Sequence, residues 1–517
     1  SMSSSAGPPP AAQSPHRFHT DHLPQDRPMR KSIIVIAVAA ALSGCAVGPN
    51  YHRPTPHVEK QFPTASAAQG ASPEAVASSD IYSHAPAQTE FWKQFDDPVL
   101  NSMVGDALTA NYDLRIALGR LVQARALRNE SLFDLAPTVT AAAGYSKQRT
   151  PAVESPLGGP YTTKLYDAGF DATWELDFFG GVRRGIQARN AELEGEVATL
   201  HDAQVSVIAE VARNYFELRG EQTQLAVARG NVKNQQQVLA LAQAELQAGS
   251  GTDLDVARAQ SQLSTTLSTI GPLEAAVSRS IHRLGVLTGR DPDALTGVLS
   301  APHELPPLPQ FVPVGTPEEL LRRRADIRAA ERNVAASTAL VGVAVSNLFP
   351  KVTFTGSFGY AAAEPAGFGA SGSRSYSIGP GITWAAFDLG RVRAQIAGAR
   401  AGAVIALDQY HQTVLGALEE TEDALVTHAR QRDQLRHAED AARASATAAK
   451  LAEIRYKGGM VDFLSVLDAE RTELQTEDAL AQSRTAAATS LIAVYKALGG
   501  GWETAPLPRY TDASISR

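Results

Sequence analysis

Two hydrophobic periods alternate along this chain, and they change over at matching places in its two halves. From about Val99 to Asp134 the apolar positions follow helical spacing. Asp97 stands where an N-cap belongs, with Pro98 at the first helical position. After Pro137 the period becomes two, with Val139, Ala141, Ala143 and Tyr145 alternating with small or polar residues. The alternation is stricter from Tyr166 to Phe178, where every even position is apolar. The odd positions there are Asp167, Gly169, Asp171, Thr173, Glu175 and Asp177. Helical patterning then returns, and no proline interrupts it between Pro160 and Pro272. The second half repeats the order. A helix over about 317–348 precedes Val352, Phe354, Gly356, Phe358 and Tyr360 on one strand face, then Tyr376, Ile378, Pro380, Ile382 and Trp384 on another. A second proline-free stretch runs from Pro380 to Pro506.

The long helical stretches carry heptads. Leu225, Val232, Leu239 and Leu246 keep a seven-residue spacing, as do Val256, Leu263, Ile270, Val277 and Leu284, which argues for helices packed lengthwise. Leu467, Leu474, Ala481 and Tyr495 keep it only in part. Gly271-Pro272 should interrupt and kink the helix that holds it.

The halves are copies. Trp174 and Trp384, Gly180 and Gly390, and Arg183 and Arg393 each stand 210 positions apart, while Asp113 and Asp326, and Pro137 and Pro350, stand 213 apart. Leu241 to Gln260 and Leu451 to Glu470 also align at 210, with Gly249 on Gly459, Leu254 on Leu464 and Gln260 on Glu470. Each copy reads as helix, glycine turn, helix. Gly249 and Gly251, and Gly458 and Gly459, are helix stops, and Thr252-Asp253 and Asp462 are N-caps of the returning helices. The expected organisation is a first repeat over 97–290 (strands about 138–148 and 163–178, tip 249–253) and a second over 317–500 (strands about 351–361 and 374–388, tip 458–462). A proline-rich linker over 291–316 joins them, and a tail follows over 501–517.

Composition narrows the class. Hydrophobic residues make up 44% but aromatics only 6%, a balance that suits long packed helices better than a compact enzyme core. With a net charge of −7 and no basic block, nucleic acid is excluded as a partner. The one cysteine, Cys45, ends Leu42-Ser43-Gly44-Cys45, which follows a basic Met29-Arg30-Lys31 and a short apolar run. That is the pattern of a lipoprotein leader over 29–44, with the lipid carried on Cys45. Loss of 1–44 removes a net charge of +2 and leaves −9. Residues 1–28 read as a non-native or misassigned extension, and 45–96 as an extended, lipidated lead-in.

Strands with one apolar face fit a half-buried sheet in water. The run to Phe178 is long enough to cross a bilayer when tilted, which needs roughly 9–11 residues. On that reading Asp167, Asp171, Glu175 and Asp177 line a wet lumen. Four strands cannot close a barrel, since single-chain barrels start at about eight, so if the strands lie in a membrane several copies must assemble.

The chain resembles the outer-membrane factors of bacterial tripartite export systems, the TolC/NodT-like (OprM-like) lipoproteins. The resemblance rests on Cys45 with Gly48 to Pro54, Phe91 to Pro98, Asn111 to Leu114, Leu320 to Glu331, Leu348 to Pro350, Arg455 to Gly459 and Leu467 to Glu470. Ala325 departs from the family's usual proline, which should only loosen a helix start. The resemblance implies an α+β membrane protein: a homotrimer whose twelve-stranded outer-membrane β-barrel, four strands per chain, continues into a twelve-helix periplasmic α-barrel. It implies passage of drugs or other small molecules from a periplasmic adaptor (membrane fusion protein) and an inner-membrane RND-type transporter to the outside. No cofactor is implied beyond the lipid on Cys45. It further implies that the tips at Gly249, Gly251, Asp253, Gly458, Gly459 and Asp462 meet the adaptor. Leu464 and Asp468, one helical turn apart, would form the periplasmic gate. Arg258 stands where Asp468 would have its copy, so the acidic ring should have three members. Without the resemblance, helix amphipathicity favours Leu464 packing inside its hairpin and Asp468 being merely solvated. A duct for type I protein secretion and a pore-free coiled-coil lipoprotein are the alternatives. An enzyme is not expected, as no Gly-x-Ser-x-Gly, His-Glu-x-x-His or phosphate loop occurs and the 12 histidines are scattered.

Overall fold

A computed structural model describes residues 46–66, 81–154 and 158–508. The extension, the leader and Cys45 itself lie outside the described residues, as do 67–80 of the lead-in and 509–517 of the tail.

Each half opens with two helices. In the first, α1 (Pro98–Ala110) and α2 (Tyr112–Phe133) follow one another; in the second, α5 (Pro317–Arg323) and α6 (Ala325–Ser346) do. The sequence pattern suggested one helix in each place. A side chain makes each break. Asn111 accepts from the Asp113 and Leu114 amides and so caps α2, while its Nδ2 donates to the Leu287 carbonyl. Arg324 leaves the helical conformation and donates from Nη1 to the Ala497 carbonyl. Asn111 and Arg324 are 213 positions apart, and Leu287 and Ala497 are 210 apart. The duplication is therefore written into the hydrogen bonds as well as the motifs. The starts of α1 and α5 are capped as their sequences dictate: Asp97 accepts from the Val99 and Leu100 amides, and Thr316 forms a capping box with Glu319.

The sheet comprises β1 (Thr138–Thr150), β2 (Tyr161–Leu176), β3 (Lys351–Ala362) and β4 (Arg374–Thr383), all antiparallel in that order. β2 ends before Asp177 and β4 well before residue 388, both earlier than the alternation suggested. Trp174 and Trp384 explain part of this. Their indole N–H groups donate to the Leu135 and Leu348 carbonyls and tie the strand ends to the preceding turns.

α3 (Gly181–Gln247) and α7 (Leu389–Lys457) are 67 and 69 residues long, roughly 100 Å each. They turn into α4 (Asp253–Leu287) and α8 (Phe463–Ala497), each of 35 residues. α4 runs without interruption through Gly271-Pro272, contrary to the break expected there; the proline removes one amide donor and the rest of the helical ladder continues. α4 ends against the start of α2, and α8 against the start of α6, so shorter helices stack end to end beside each long one.

The main core forms at the stacking level. Phe91 lies stacked on Tyr495 at 4.7 Å, Phe95 meets Phe216 edge-on, and the Tyr215 hydroxyl donates to Asp97. Leu284, Leu287, Leu491 and Leu498 complete it. Thus the Phe91 to Pro98 motif plugs the place where both hairpins meet the shorter helices. Among the described residues no helix is long and apolar enough to cross a membrane.

Candidate functional site

Strand register decides what the sheet presents. On one face Val139 lies opposite Ala172, Ala141 opposite Phe170 and Tyr145 opposite Tyr166. The same face continues through Phe170 opposite Phe358 and Trp174 opposite Phe354, then through Phe358 opposite Tyr376 and Val352 opposite Ile382. All four strands therefore share one apolar face, and it is uncovered: Tyr376 is 77% exposed, Ile378 70% and Ile382 71%. The other face carries Asp171 opposite Thr140 and Ser357, and Glu175 opposite Thr353. Asp167 lies against Gly144, and Lys351 reaches Glu175 at 3.8 Å. Asp177 does not join this polar face. It sits beyond β2, where its carboxylate accepts from the Val182 and Arg183 amides and pairs with the Arg183 side chain. It caps the start of α3, because a carboxylate there satisfies free amides and the positive helix end. The outer edges of β1 and β4 have no partner strand among the described residues.

At the same junction the lead-in is clamped. Arg184 is buried and donates to the carbonyls of Ala46, Val47 and Gly48 and to Asn50 Oδ1. Ala46, covalently next to Cys45, thus lies beside Gly180, where strand passes into helix.

The tips of the two hairpins have one geometry. Gly249 and Gly459 take φ of 78° and 71°, and the amides that follow return to the Glu245 and Arg455 carbonyls. This is a Schellman-type stop, which favours glycine at that position. Gly251 is held differently: a Cβ there would lie 2.8 Å from the Leu246 nitrogen. Gly458 has negative φ and is the C-cap. Thr252, not Asp253, caps α4, by accepting from the Asp255 amide; Asp253 is the first helical residue. Asp462 caps α8 through the Ser465 amide and hydroxyl, bonds that hold its carboxyl below the usual range.

Just past the second tip, Phe463 and Val466 are buried and Leu464 is 47% exposed. Phe463 joins Ala242 and Ala259 in a small apolar cluster between the hairpins, so it does the packing and Leu464 points away. Asp468 is exposed and paired with Arg471 on its own helix, so its charge is partly balanced. Arg258 acts electrostatically on Asp462 from the opposite tip. One contact was not legible from the motifs: the Tyr456 hydroxyl donates to Glu245 and bonds the end of α7 to the end of α3. Tyr456 belongs to the Arg455 to Gly459 motif, but nothing along the chain marks Glu245 as its acceptor.

The model of the family described as outer membrane efflux protein matches this chain twice, over residues 103–290 and 316–500. The chain is 33% identical to the outer membrane protein OprJ of Pseudomonas aeruginosa over 485 residues, covering 92% of this chain and 97% of that one. It is 30% identical to the toluene efflux pump outer membrane protein TtgF of Pseudomonas putida, covering 92% and 98%. Among solved structures, the outer-membrane channel OprN superposes with a TM-score of 0.80 at 42% identity, covering 89% of this chain and all of that one.

Proposed function

This chain belongs to the outer membrane efflux protein family, and we propose from that premise how it conducts. It is the outer-membrane component of an efflux pump. Three copies join β4 of one to β1 of the next and close a twelve-stranded barrel. The observation that carries this is the four-stranded sheet with one continuous apolar face and two open edges. In lipid such edges leave backbone groups unpaired, and closure satisfies them. Asp167, Asp171 and Glu175 then face the water-filled interior. The helices continue the duct away from the membrane, and drugs or other small molecules pass through it passively. A lipid on Cys45 anchors the chain, a reading supported by the clamped Ala46 at the strand–helix junction. Mass spectrometry of the mature amino terminus tests it: an unmodified or absent Cys45 overturns the anchor.

The hairpin tips are the end that meets a periplasmic adaptor coupled to an RND-type inner-membrane transporter. The resting gate is formed by Leu464 and Asp468, both free of the hairpin packing and on one side of α8. Three leucines around an axis make a dewetting ring, and three aspartates a charged one. The test is single-channel conductance in planar bilayers. Leu464→Ala with Asp468→Ser should raise it severalfold; unchanged conductance sinks the gate.

A further inference from the structure

α3 and α8 lie antiparallel with a register set at two places. Gly220 lies against Thr485, and Ala242 shares a cluster with Phe463. The members of these pairs are 22 residues apart on both helices, so the register holds along the seam. One heptad above the cluster that holds Ala242 and Phe463, that register brings Gln235 to the level of Glu470. Gln235 is the unsatisfied member of this pair. Gln235 is 3% exposed, and neither its Oε1 nor its Nε2 has a partner. Glu470 is half-buried, and among the described residues no hydrogen bond or ion pair reaches its carboxylate.

The charges that act on Glu470 are acidic, and Lys450 on α7 is exposed. Glu473 on its own helix and Glu453 on α7 both act on it, and Glu477 acts on Glu473. Glu453 is paired with Lys457, and Arg471 with Asp468. From α3 the nearest cation is Lys233, which is exposed; α4 carries no charge between Arg258 and Glu274. Burial, then Glu473 and Glu453, push the Glu470 carboxyl up to about 7. No hydrogen bond joins the two side chains in this structure; a neutral carboxyl turned toward Gln235 can donate to its Oε1 and accept from Nε2, which satisfies both groups. A carboxylate cannot donate, and its acidic neighbours repel it toward water.

We propose that Glu470 and Gln235 form a proton-dependent latch between α8 and α3, closed while Glu470 holds its proton, so that opening at Leu464 and Asp468 is favoured as periplasmic pH rises. Gln260 occupies the matching place in the first repeat, so each chain carries one such acid. The proposal rests on the channel reading above. For a group titrating at about 7, the ionised fraction rises about thirtyfold from about pH 5.5 to about pH 8.5. Wild-type trimers in planar bilayers should conduct severalfold more at the higher pH. Glu470→Gln should stay at the low value at both pH values, and Gln235→Leu should be raised already at the lower one. A flat wild-type profile, or an undiminished rise in Glu470→Gln, overturns the latch. Nitroxides at the exposed positions Gln237 and Gln475 give a readout that needs no current. Their distance distribution should lengthen with pH in the wild type and not in Glu470→Gln. A trimer that never conducts yet shows this shift overturns the channel reading and leaves the latch standing; an invariant distance overturns the latch.

Discussion

His428 lies wholly buried in α7, with Nδ1 on the Ser490 hydroxyl and Nε2 without a partner. Burial, with Arg432 nearby, lowers its pKa from 6.5 to about 4. The folded protein therefore takes up this proton only near pH 4, whereas the unfolded chain takes it up near 6.5. Stability from this group is complete above 6.5 and falls as pH drops toward 4, by about 3 kcal/mol in all. His428→Asn keeps a side-chain group near the Nδ1 position and cannot ionise. Its unfolding midpoint should fall less between pH 7 and pH 4 than that of the wild type; equal losses would show that other groups carry the acid sensitivity. Residues of this kind are illegible in sequence. One histidine among the chain's twelve, set in a 69-residue helix, announces nothing until packing buries it. Asp177 teaches the same lesson in reverse. It continues the alternation of Asp167, Asp171 and Glu175, but the strand stops one residue earlier and a helix start claims its carboxylate.

At the scale of elements the turns were the most legible part of the chain. A glycine that must take positive φ, followed by a capping hydroxyl or carboxylate, is a local requirement, and it occurs twice at the same spacing. Nothing lies within 4 Å of where a Cβ would stand on Gly249 or Gly459, so each tip is open to an approaching partner. Gly249→Leu should cost about 1–2 kcal/mol in left-handed strain, too little to unfold the hairpin. It should nevertheless abolish drug export while trimers persist in the membrane; normal export by such trimers would remove the docking role. The joints at Asn111 and Arg324 were hidden because helical periodicity passes through them unchanged. Each exists because a side chain finds a carbonyl at the end of a helix about 175 residues further on, as Asn111 and Leu287 do at 176 and Arg324 and Ala497 at 173.

For the molecule as a whole, the uncovered apolar face and the two strand edges that have no partner among the described residues imply assembly. Cysteines placed at Thr140 on β1 and at Ser375, Ser377 or Gly379 in turn on β4 should form disulfides between copies. Oxidation in the outer membrane should give a ladder that ends at a closed trimer. Absence of any intermolecular bond across all three β4 positions would rule out closure through these edges. The long helices rest on the same logic of repetition. α3 packs along α4 and α7 along α8, while Phe463 and the Tyr456–Glu245 bond hold one hairpin to the other near the tips.

Periodicity and spacing by themselves determined the two repeats, the four strands, the faces of the sheet and the placement of the tips. These are local properties, set by where apolar side chains fall at a period of two or of 3.6 and by which residues tolerate positive φ or cap a helix. Only the tertiary structure decided which helices break, where Asp177 and Thr252 act, that Tyr456 bonds Glu245 and that Gln235 is buried. Those outcomes depend on partners from distant parts of the chain, because burial and hydrogen bonding are fixed by neighbours in space and leave no period along the chain.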